Sequence, residues 1–520
     1  MPNNKIQQIT ILGGGTAGWI TAGIIAAEHW VENDKNSIQI TVIESTEITP
    51  IGVGEGTWPT MRDTLKSMGI DETEFLSQCD ASFKQGSKFV NWCRGDNDYY
   101  YHPFSLPEQY HQLNLANHWL QHKDKIPFAN AVTFQAALCE EGLAPKQIST
   151  PSFSFFGNYG YHLDAGKFGP FIRQHCVNKL GVKHINDTIT DINLHPNQDI
   201  KSVTTAKHGE IGGDLFIDCT GTHGLIIDKT YQIPFVSQKH VLFNDTAMAA
   251  QINYDSAEQP IGSSTLSTAQ KNGWIWDIGL QSRRGVGYVY SSSHQNDDNA
   301  EQTLRQYIQS STIKLDENDI SVRKLAINPG HREKFWHQNS VAIGMSSGFI
   351  EPLEASAIAL IELSAKYIAK QLPQSRSHMD IIAARYNKKF LERWQQILEF
   401  LKLHYVLSQR RDSEYWLDNT SATTIPADLA EKLTLWQSQC PYTYDSLVTE
   451  ELFPSASYQY IYYGMGGETR PQFSRKIIDE QQQVNALIQQ NRSKTAQLLN
   501  TLPTNRELLN KIKQYGLQNI

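Results

Sequence analysis

The fold of this chain is decided near its start, by Gln8-Ile9-Thr10-Ile11-Leu12-Gly13-Gly14-Gly15-Thr16-Ala17-Gly18-Trp19. Residues 8–12 alternate and are largely β-branched, which predicts a buried strand. Gly13, Gly15 and Gly18 then follow the G-x-G-x-x-G spacing. Glycines let a backbone approach a pyrophosphate, and the start of a helix favours its negative charge. We therefore predict a dinucleotide-binding loop; the alternative is a glycine-rich turn in an ordinary α/β protein.

The residues after this loop complete the pattern. Thr16 to Glu28 is rich in Ala and Ile and predicts a helix, and residues 38–43 predict a second strand that ends in Glu44. An acid at that position accepts hydrogen bonds from ribose hydroxyls. Strand, loop, helix, strand and acid in this order predict a Rossmann-like α/β domain. The residues expected to bind the cofactor here are Gly13, Gly15, Thr16, Ala17, Gly18 and Glu44.

Composition limits the class of protein. A chain of 520 residues is long enough to bury one large core or two. Its net charge of -8 argues against a nucleic-acid partner. It has no apolar run that would span a bilayer and no signal-peptide core after Met1, so we expect a cytoplasmic protein without a membrane partner. Six scattered cysteines without a C-x-x-C pair predict reduced thiols and no metal site.

The organisation of the chain changes near residue 370. Up to that point strand-like and helix-like patterns alternate, including a buried strand at 214–221 and a hairpin at 273–291. From Ala359 the pattern is helical, with one long helix at 381–407 and a helical tail at 477–520. We expect two domains. Residues 1–370 form the cofactor-binding domain with an inserted antiparallel sheet, and residues 371–520 form a mostly helical region that completes the substrate site.

A second segment, Gly348-Phe349-Ile350-Glu351-Pro352-Leu353-Glu354-Ala355-Ser356, gives the cofactor an identity. Alone it is a turn with two acids before a helix. Together with the glycine loop, it resembles the second flavin-contacting segment of flavin-dependent halogenases of the tryptophan halogenase family. Other stretches resemble that family in the same order along the chain, namely residues 13–19, 50–59, 161–165, 218–221, 403–405 and 411–416.

The resemblance implies an FAD-binding fold of the monooxygenase type and a two-component reaction. A separate NAD(P)H-dependent flavin reductase supplies FADH2, and the flavin hydroperoxide formed with dioxygen oxidises chloride or bromide to hypohalous acid. The electrophile then halogenates an indole-type substrate, either tryptophan or free or substituted indole. A homodimer is usual in that family. The further FAD contacts implied are Gly52, Val53, Gly54 and Glu55 of the strap at residues 50–59, with Gly348 and Leu353.

The resemblance also implies a lysine that binds the hypohalous acid or carries its halogen. Residues 81–89 resemble the lysine segment of the family, and Lys84 follows Phe83 as the pattern requires. If the segment is one strand, Lys84 and Lys88 share a face, so geometry alone leaves both open. Burial in an aromatic cavity would disfavour the charged form of the lysine. The alternative interpretation is two solvated surface lysines.

The matching carboxylate is Glu354, because the family pattern places the second Glu of Glu-Pro-Leu-Glu toward the substrate. The alternative is an acid at a helix start that the helix dipole stabilises, a role that either Glu351 or Glu354 fits. Halide is expected at the backbone N–H groups of Ser356 and Ala357. Ala355 departs from the family, which often has Ser there, so the halide preference stays open.

The tryptophan motif of the family, W-x-W-x-I-P, corresponds to residues 274–279. Trp274 and Trp276 fall on one strand face. The resemblance implies that they keep the substrate from the flavin; the alternative is two core tryptophans. Gly279 replaces the family proline, which restores an N–H and is expected to loosen the nearby cavity.

Several aromatic side chains are candidates for substrate binding. His102 and Phe104 match a family segment that lines the substrate site, and Phe104 would stack on a flat ring. A looser match in the C-terminal part suggests residues that hold the polar end of an amino acid, namely Tyr460, Tyr462, Tyr463 and Glu468.

Two other functions fit parts of the sequence. A flavin monooxygenase that hydroxylates an aromatic ring would usually have Gly-Asp where this chain has Gly344-Met345-Ser346-Ser347-Gly348. A non-catalytic flavin-binding protein would explain the departures at Ala355 and Gly279 but not the presence of both Lys84 and Glu354. The sequence has no second nucleotide fingerprint, which indicates an external reductant. We therefore expect a halogenase.

Overall fold

The computed structural model describes residues 5–34, 36–45, 54–312, 320–446, 452–470, 472 and 474–518. The expected FAD contacts Gly52 and Val53 lie outside the described residues. The chain forms two compact units, each built from three chain segments. Unit 1 contains residues 1–80, 163–238 and 328–394, and unit 2 contains residues 81–162, 239–327 and 395–520. The expected boundary at residue 370 falls inside the last segment of unit 1, and the division into 1–370 and 371–520 stays a prediction.

The strands of the described residues are short, with two to eight residues each. In chain order they are β1 Gln8–Leu12, β2 Gln39–Glu44, β3 Glu55–Gly56, β4 Ser82–Lys84, β5 Gly86–Val90, β6 Tyr99–Pro103, β7 Gly160–Leu163, β8 Lys183–Asn186, β9 Ile189–Leu194, β10 Ile200–Thr205, β11 Gly209–Gly212, β12 Leu215–Asp218, β13 Phe235–Ser237, β14 Thr246–Asn253, β15 Thr265–Gln270, β16 Gly273–Gly279, β17 Arg283–Tyr290, β18 Val322–Ala326, β19 Gly330–Arg332, β20 Trp336–His337, β21 Ser340–Ala342 and β22 Gly348–Phe349.

The two longest α-helices of the described residues, with 31 and 27 residues, lie in the last third of the chain. In chain order they are α1 Thr16–His29, α2 Thr60–Ser67, α3 Glu72–Gln78, α4 Leu115–Trp119, α5 Phe128–Val132, α6 Gln135–Glu140, α7 Ala165–Lys179, α8 Asp297–Ser310, α9 Ser356–Lys370, α10 Arg376–Val406, α11 Glu414–Asn419, α12 Ala427–Trp436, α13 Ser455–Gly464, α14 Arg475–Thr501 and α15 Asn505–Tyr515. The long helix expected at 381–407 is α10, and the helical tail is α14 with α15.

Unit 1 is built on a six-stranded sheet in the order β20-β21-β12-β1-β2-β8. All its neighbouring strands are parallel except β20 and β21. Ile9, Ile11 and Leu12 of β1 are buried, as expected for a strand covered on both faces. Helix α1 crosses over from β1 to β2 and packs on α7 and α9. The predicted Rossmann-like α/β fold is thereby confirmed.

Unit 2 contains a seven-stranded sheet in the order β18-β14-β17-β16-β15-β5-β6. Its pairs are antiparallel apart from β15 with β5. Ile275, Tyr288 and Leu304 belong to the core between this sheet and α8. The hairpin expected at 273–291 is β16 with β17. The seven-stranded sheet is the added antiparallel sheet that we expected. The last segment of the unit, residues 395–520, is mostly helical.

The lysine segment differs from the single strand considered above. It forms two strands, β4 and β5, separated by Gln85. Gly86 has a φ of 155°, and a Cβ there would lie 2.3 Å from the backbone oxygen of His102. The close approach of β6 therefore bends the chain after Lys84. As a result β4 pairs with β7, whereas β5 joins the large sheet.

Candidate active site

The glycine loop in unit 1 combines tight packing with an open face. A Cβ at Gly13 would lie 2.3 Å from the backbone oxygen of Cys219, and one at Gly18 would lie 1.9 Å from that of Gly13. Gly15 is exposed at the start of α1, and a Cβ there would meet no atom of the described residues within 4 Å. The residues present therefore fit a pyrophosphate beside Gly15 at the N-terminus of the helix.

Glu44 lies beside this loop, as the sequence predicted. A Cβ at Gly14 would lie 2.4 Å from the Glu44 carboxyl carbon. The Oε2 atom of Glu44 is 3.3 Å from Arg173 Nη1 and 3.1 Å from His184 Nε2. Burial lowers the pKa of His184, and the charge of Glu44 opposes that shift. Arg173 and His184 were missed from the sequence, because they come from α7 and β8 and no motif marks them.

The described part of the strap is tied to the second flavin segment within unit 1. The indole Nε1 of Trp58 donates a hydrogen bond of 2.7 Å to the backbone oxygen of Glu354. Glu55 lies on β3, close to Trp58 in the chain, and burial raises its pKa to about 7. The sequence had identified Glu55 but not the role of Trp58, although Trp58 lies in the strap segment.

The turn before α9 has an unusual backbone. Glu354 and Ala355 have φ values of 63° and 55°, in the left-handed region that favours glycine. Such residues cost of order 1–3 kcal/mol each, and they persist where the surrounding structure holds them. Glu354 and Glu351 are both buried, and Leu353 between them is fully buried. The turn therefore holds two carboxylates in fixed positions directly before a helix start.

The predicted halide residues lie at that helix start. Ser356 is buried and Ala357 is exposed in the first turn of α9, where backbone N–H groups have no partner within the helix. A cavity of about 50 Å³ lies here, and its lining includes Gly348, Ser356 and Ala357. A Cβ at Gly348 would lie 2.6 Å from the backbone oxygen of Gly330, so glycine allows the close approach of β19.

In unit 2, Lys84 and Lys88 have different surroundings. Lys84 is only 1% exposed, and its Nζ atom lies 5.4 Å from the centre of the Phe104 ring. Lys88 is partly exposed and is paired with Glu140 at 3.1 Å. Its ammonium also lies 4.4 Å from the centre of the Tyr99 ring. The structure thus excludes the interpretation of two solvated lysines and gives only Lys84 a buried aromatic environment.

A histidine shares the sheet face of Lys84. Ser82 pairs with His162 and Lys84 with Gly160 between β4 and β7, so these four residues lie on one face. His162 Nε2 is 2.8 Å from Thr265 Oγ1. Burial, and to a lesser extent the charge of Lys84, lowers the pKa of His162 well below its usual value. Burial therefore favours the neutral form of this imidazole. The sequence offered a signal, since His162 lies in a segment that resembles the family.

The two tryptophans of the motif are buried on β16. Trp274 is 1% and Trp276 is 6% exposed, and their ring centres lie 6.4 Å apart. A Cβ at Gly287, opposite Trp276 on β17, would lie 2.1 Å from that indole. The indole therefore occupies the space of a missing side chain. Trp274 also packs on Trp92.

Gly279 does not loosen its surroundings, contrary to our expectation. A Cβ there would lie 3.0 Å from Ile261 Cγ2 and from the Tyr254 hydroxyl. Its backbone oxygen accepts a hydrogen bond of 2.5 Å from the Ser82 hydroxyl. Gly279 therefore allows close packing against the start of β4 instead of opening a cavity.

His102 and Phe104 lie at the end of β6 and directly after it. His102 is buried, its Nε2 is 2.9 Å from Ser457 Oγ, and its ring packs on Phe400 and Tyr460. Phe104 is partly exposed and faces the Lys84 ammonium. The structure thus brings Phe104 and Lys84 together, while His102 connects β6 to α13.

The C-terminal candidates have partners of their own. The Tyr460 hydroxyl donates to the backbone oxygen of Ser105, and that of Tyr462 donates to the backbone oxygen of Glu468. Tyr463 packs on Trp119 and Phe128. The Glu468 side chain is 82% exposed and pairs with Lys123 at 3.3 Å. These contacts give the tyrosines a packing role, and their assignment to the substrate stays a prediction.

Comparison with known proteins places these features in one family. The sequence profile of the family described as tryptophan halogenase matches residues 8–482. A curated relative, the 7-chloro-L-tryptophan 6-halogenase KtzR of Kutzneria sp. (strain 744), is 32% identical over 97% of this chain and 99% of its own length.

Solved structures agree with the sequence match. The crystal structure of a tryptophan halogenase from Shewanella frigidimarina NCIMB 400 is 50% identical, covers 100% of both chains and has a TM-score of 0.96. BrvH, a flavin-dependent halogenase from Brevundimonas sp. BAL3, is 29% identical over 98% of this chain and 99% of its own, with a TM-score of 0.85. Neither the hydroxylase nor the non-catalytic interpretation finds support among these relatives. This chain therefore belongs to the tryptophan halogenase family, and it is a flavin-dependent halogenase.

Proposed function

We propose that this enzyme halogenates a ring carbon of an indole-type substrate, either tryptophan or free or substituted indole, with chloride or bromide. The observation that carries the proposal is the burial of Lys84 against Phe104 in a chain of this family. Relatives named as tryptophan 6- and 7-halogenases support tryptophan as the first substrate to test. A separate NAD(P)H-dependent flavin reductase would deliver FADH2.

The glycine loop would hold FAD through Gly13, Gly15, Thr16, Ala17 and Gly18, with Glu44 at the ribose. Gly54, Glu55, Gly348 and Leu353 are proposed as further contacts, together with Gly52 and Val53. When bound, reduced flavin would supply two electrons to dioxygen, and the activated oxygen would oxidise halide to hypohalous acid. The remaining chemistry depends on side chains of the protein.

Lys84 is proposed to receive the hypohalous acid. Its ammonium would donate a hydrogen bond to the oxygen of that acid, or its neutral amine would take the halogen and release water. A buried lysine suits both roles, because little bulk water competes for Nζ. The ring carbon of the substrate then attacks the halogen. In the first route the oxygen leaves and takes up a proton to become water, and in the second route the Lys84 amine is the leaving group.

Glu354 is proposed to assist the same substitution. The ring carbon that gains the halogen must lose a proton, and the carboxylate of Glu354 would accept it or orient the electrophile. The left-handed turn at Glu354 and Ala355 supports this role, since strained backbone is retained where function requires a fixed position. Ser356 and Ala357 are proposed to hold the halide by their backbone N–H groups, beside the 50 Å³ cavity.

Trp274 and Trp276 are proposed to keep the organic substrate away from the flavin. Their burial, and for Trp276 the space at Gly287, hold the two indoles in place and support this role. Phe104 is proposed to stack on the indole ring and His102 to line the same site. Tyr462, Tyr463 and Glu468 are proposed to hold the polar end of the substrate. A cytoplasmic location and a homodimer also remain part of the proposal.

Mass spectrometry of two reaction mixtures tests the proposal. Both contain the enzyme, FAD, a flavin reductase, NADH, dioxygen, tryptophan and indole; one contains chloride and the other bromide. We expect a halogen isotope pattern on one of the two compounds. An added oxygen without halogen would support the hydroxylase interpretation instead. Absence of any product while FAD is bound and reduced would contradict the proposed substrate class.

A further inference from the structure

A side chain of the last helix holds the strand that carries Lys84. Asn505, the first residue of α15, is fully buried. Its Nδ2 atom donates hydrogen bonds of 3.0 Å to the backbone oxygen of Phe83 and 3.2 Å to that of Gly262. Phe83 directly precedes Lys84, and 422 positions separate it from Asn505. The end of the chain therefore reaches the backbone beside the proposed catalytic lysine.

Strand β4 needs such support because it is short. It has three residues, and its paired residues on β7 are His162, Tyr161 and Gly160. A strand of this length has little rigidity of its own. A buried backbone carbonyl without a partner would also be costly, and the Asn505 amide supplies the donor that a neighbouring strand would otherwise provide.

Hydrogen bonds also fix the chain on both sides of Phe83. The Ser82 hydroxyl donates to the backbone oxygen of Gly279, and the backbone N–H of Gln85 donates to that of Ser263 at 2.7 Å. The Asn505 amide bridges Phe83 to Gly262, the neighbour of Ser263. It thus fixes the middle of β4 to the same loop that holds its end.

Helix α15 has anchors that do not depend on the Asn505 amide. Thr504 and Glu507 form a capping box at its start, and the backbone N–H of Asn505 donates to the oxygen of Gly142 at 2.9 Å. The guanidinium of Arg506 donates to the backbone oxygens of Gln259 and Gln281. Removal of the Asn505 side-chain amide should therefore leave the helix in place.

We propose that Asn505 is a positioning residue for Lys84. By fixing the Phe83 carbonyl it fixes the peptide that joins Phe83 to Lys84, and thereby the direction in which the lysine side chain leaves the strand. The inference rests on the proposed function, in which Lys84 receives hypohalous acid. A lysine that is displaced by a fraction of an ångström would let more of that acid escape before it reacts with the substrate.

The test compares Asn505→Ala and Asn505→Asp with matched variants of Asn500. Asn505→Asp keeps the size of the side chain but puts a carboxylate oxygen in place of the amide nitrogen that donates to the Phe83 oxygen. Asn500 is exposed on α14, and its amide donates to the backbone oxygen of Ala496 within the same helix. Both Asn505 variants should lower kcat about tenfold, while the KM for tryptophan and the Kd for FAD stay within about twofold of wild type. The fraction of hypohalous acid trapped by an added scavenger should rise in parallel.

A second measurement does not depend on activity. Acetylation of lysines, followed by mass spectrometry over time, reports how well each lysine is held and shielded. Lys84 should react about tenfold faster in Asn505→Asp than in wild type, whereas the equally buried Lys402, which donates to Val241 and Asn419, should not change. Unchanged labelling of Lys84, or escape of hypohalous acid no greater than in the Asn500 variants, would overturn the inference.

The inference would also be overturned if the Asn505 variants lost FAD binding and thermal stability as well as kcat, since that pattern indicates a purely structural role. Failure of the proposed function has a different signature. In that case wild type gives no halogenated indole or tryptophan, or Lys84→Met still halogenates. The labelling of Lys84 would decide the role of Asn505 even then.

Discussion

Trp58 and Glu354 are joined by a hydrogen bond of 2.7 Å from the indole Nε1 to the backbone oxygen. The bond attaches the strap to a turn in which Glu354 and Ala355 both have left-handed backbone. Left-handed residues other than glycine return to ordinary conformations unless neighbours hold them. The indole of Trp58 is therefore part of what holds the Glu354 carboxylate in place.

Loss of this bond should reduce halogenation without unfolding the protein. We expect Trp58→Phe to lower kcat about fivefold, the effect of roughly 1 kcal/mol for one hydrogen bond. Trp336→Phe is the control, because Trp336 is buried more deeply than Trp58 but its Nε1 has no hydrogen-bond partner in the described part of the chain. Product formation under saturating tryptophan measures the effect. Equal losses in both variants would contradict a specific role for the Trp58 donor.

Two glycines of the loop, Gly15 and Gly18, should respond differently to substitution by alanine. Gly15→Ala should leave the melting temperature of the FAD-free protein nearly unchanged, because space is available among the described residues, but should weaken FAD binding about tenfold by filling the pyrophosphate position. Gly18→Ala should destabilise the fold itself, since its Cβ would collide with the oxygen of Gly13. Fluorescence titration with FAD and thermal melts distinguish the two. Unchanged FAD affinity in Gly15→Ala would refute the assigned position.

The two lysines of the lysine segment provide a matched pair. Lys84→Met should lower halogenation at least a hundredfold while FAD still binds. Lys88→Met removes a partly exposed ion pair with Glu140, which is worth about 1 kcal/mol or less, so its activity should stay near wild type. Rates of halogenated product in bromide and in chloride give the comparison. A Lys84→Met enzyme that retains most of its halogenation rate would remove Lys84 from the mechanism.

Gly279 should resist the addition of even one methyl group. Gly279→Ala places a Cβ 3.0 Å from Ile261 and from the Tyr254 hydroxyl, and overpacking of this kind costs about 1–3 kcal/mol. Gly212→Ala is the control, because Gly212 is exposed on β11 and a Cβ there would lie 3.8 Å from the backbone oxygen of Lys201, an ordinary van der Waals distance. Urea unfolding should show a lower midpoint for Gly279→Ala only. A stable Gly279→Ala variant would mean that the packing beside Ser82 is loose.

Glu362 should make stability depend on pH. It is fully buried on α9, accepts hydrogen bonds from the hydroxyls of Thr60 and Thr64, and lies 3.7 Å from Lys366. Burial raises its pKa above the ordinary value of 4.5. For an acid whose pKa is raised on folding, the stabilising contribution is complete below pH 4.5 and is lost as the pH rises through the raised pKa.

Glu362→Gln keeps the neutral form at every pH. The melting temperature of wild type should therefore fall relative to that of Glu362→Gln as the pH rises from 4.5 to 8. Glu431→Gln, on the exposed surface of α12, is the control. A difference between Glu362→Gln and wild type that stays constant over this range would show that Glu362 does not change protonation there.

Local patterns in the sequence were enough to predict the elements of the fold. The strand at 8–12, the helix at 16–28, the hairpin at 273–291 and the helical tail all lie where periodicity and turn residues placed them. Each depends on neighbours along the chain, for which hydrophobic spacing is a direct signal. Family membership followed from motifs in a fixed order, which the sequence contains by itself.

Contacts between distant residues were decided only by the tertiary structure. The close approach of His102 at Gly86 divided the lysine segment into two strands and separated the buried Lys84 from the paired Lys88. Gly279 proved to be a site of tight packing, although its residue type suggested a loose one. Asn505 reached Phe83 across 422 positions. No periodicity or spacing encodes such contacts, because they depend on how elements pack after they form, and packing is set by shape and by hydrogen-bond partners that come from anywhere in the chain.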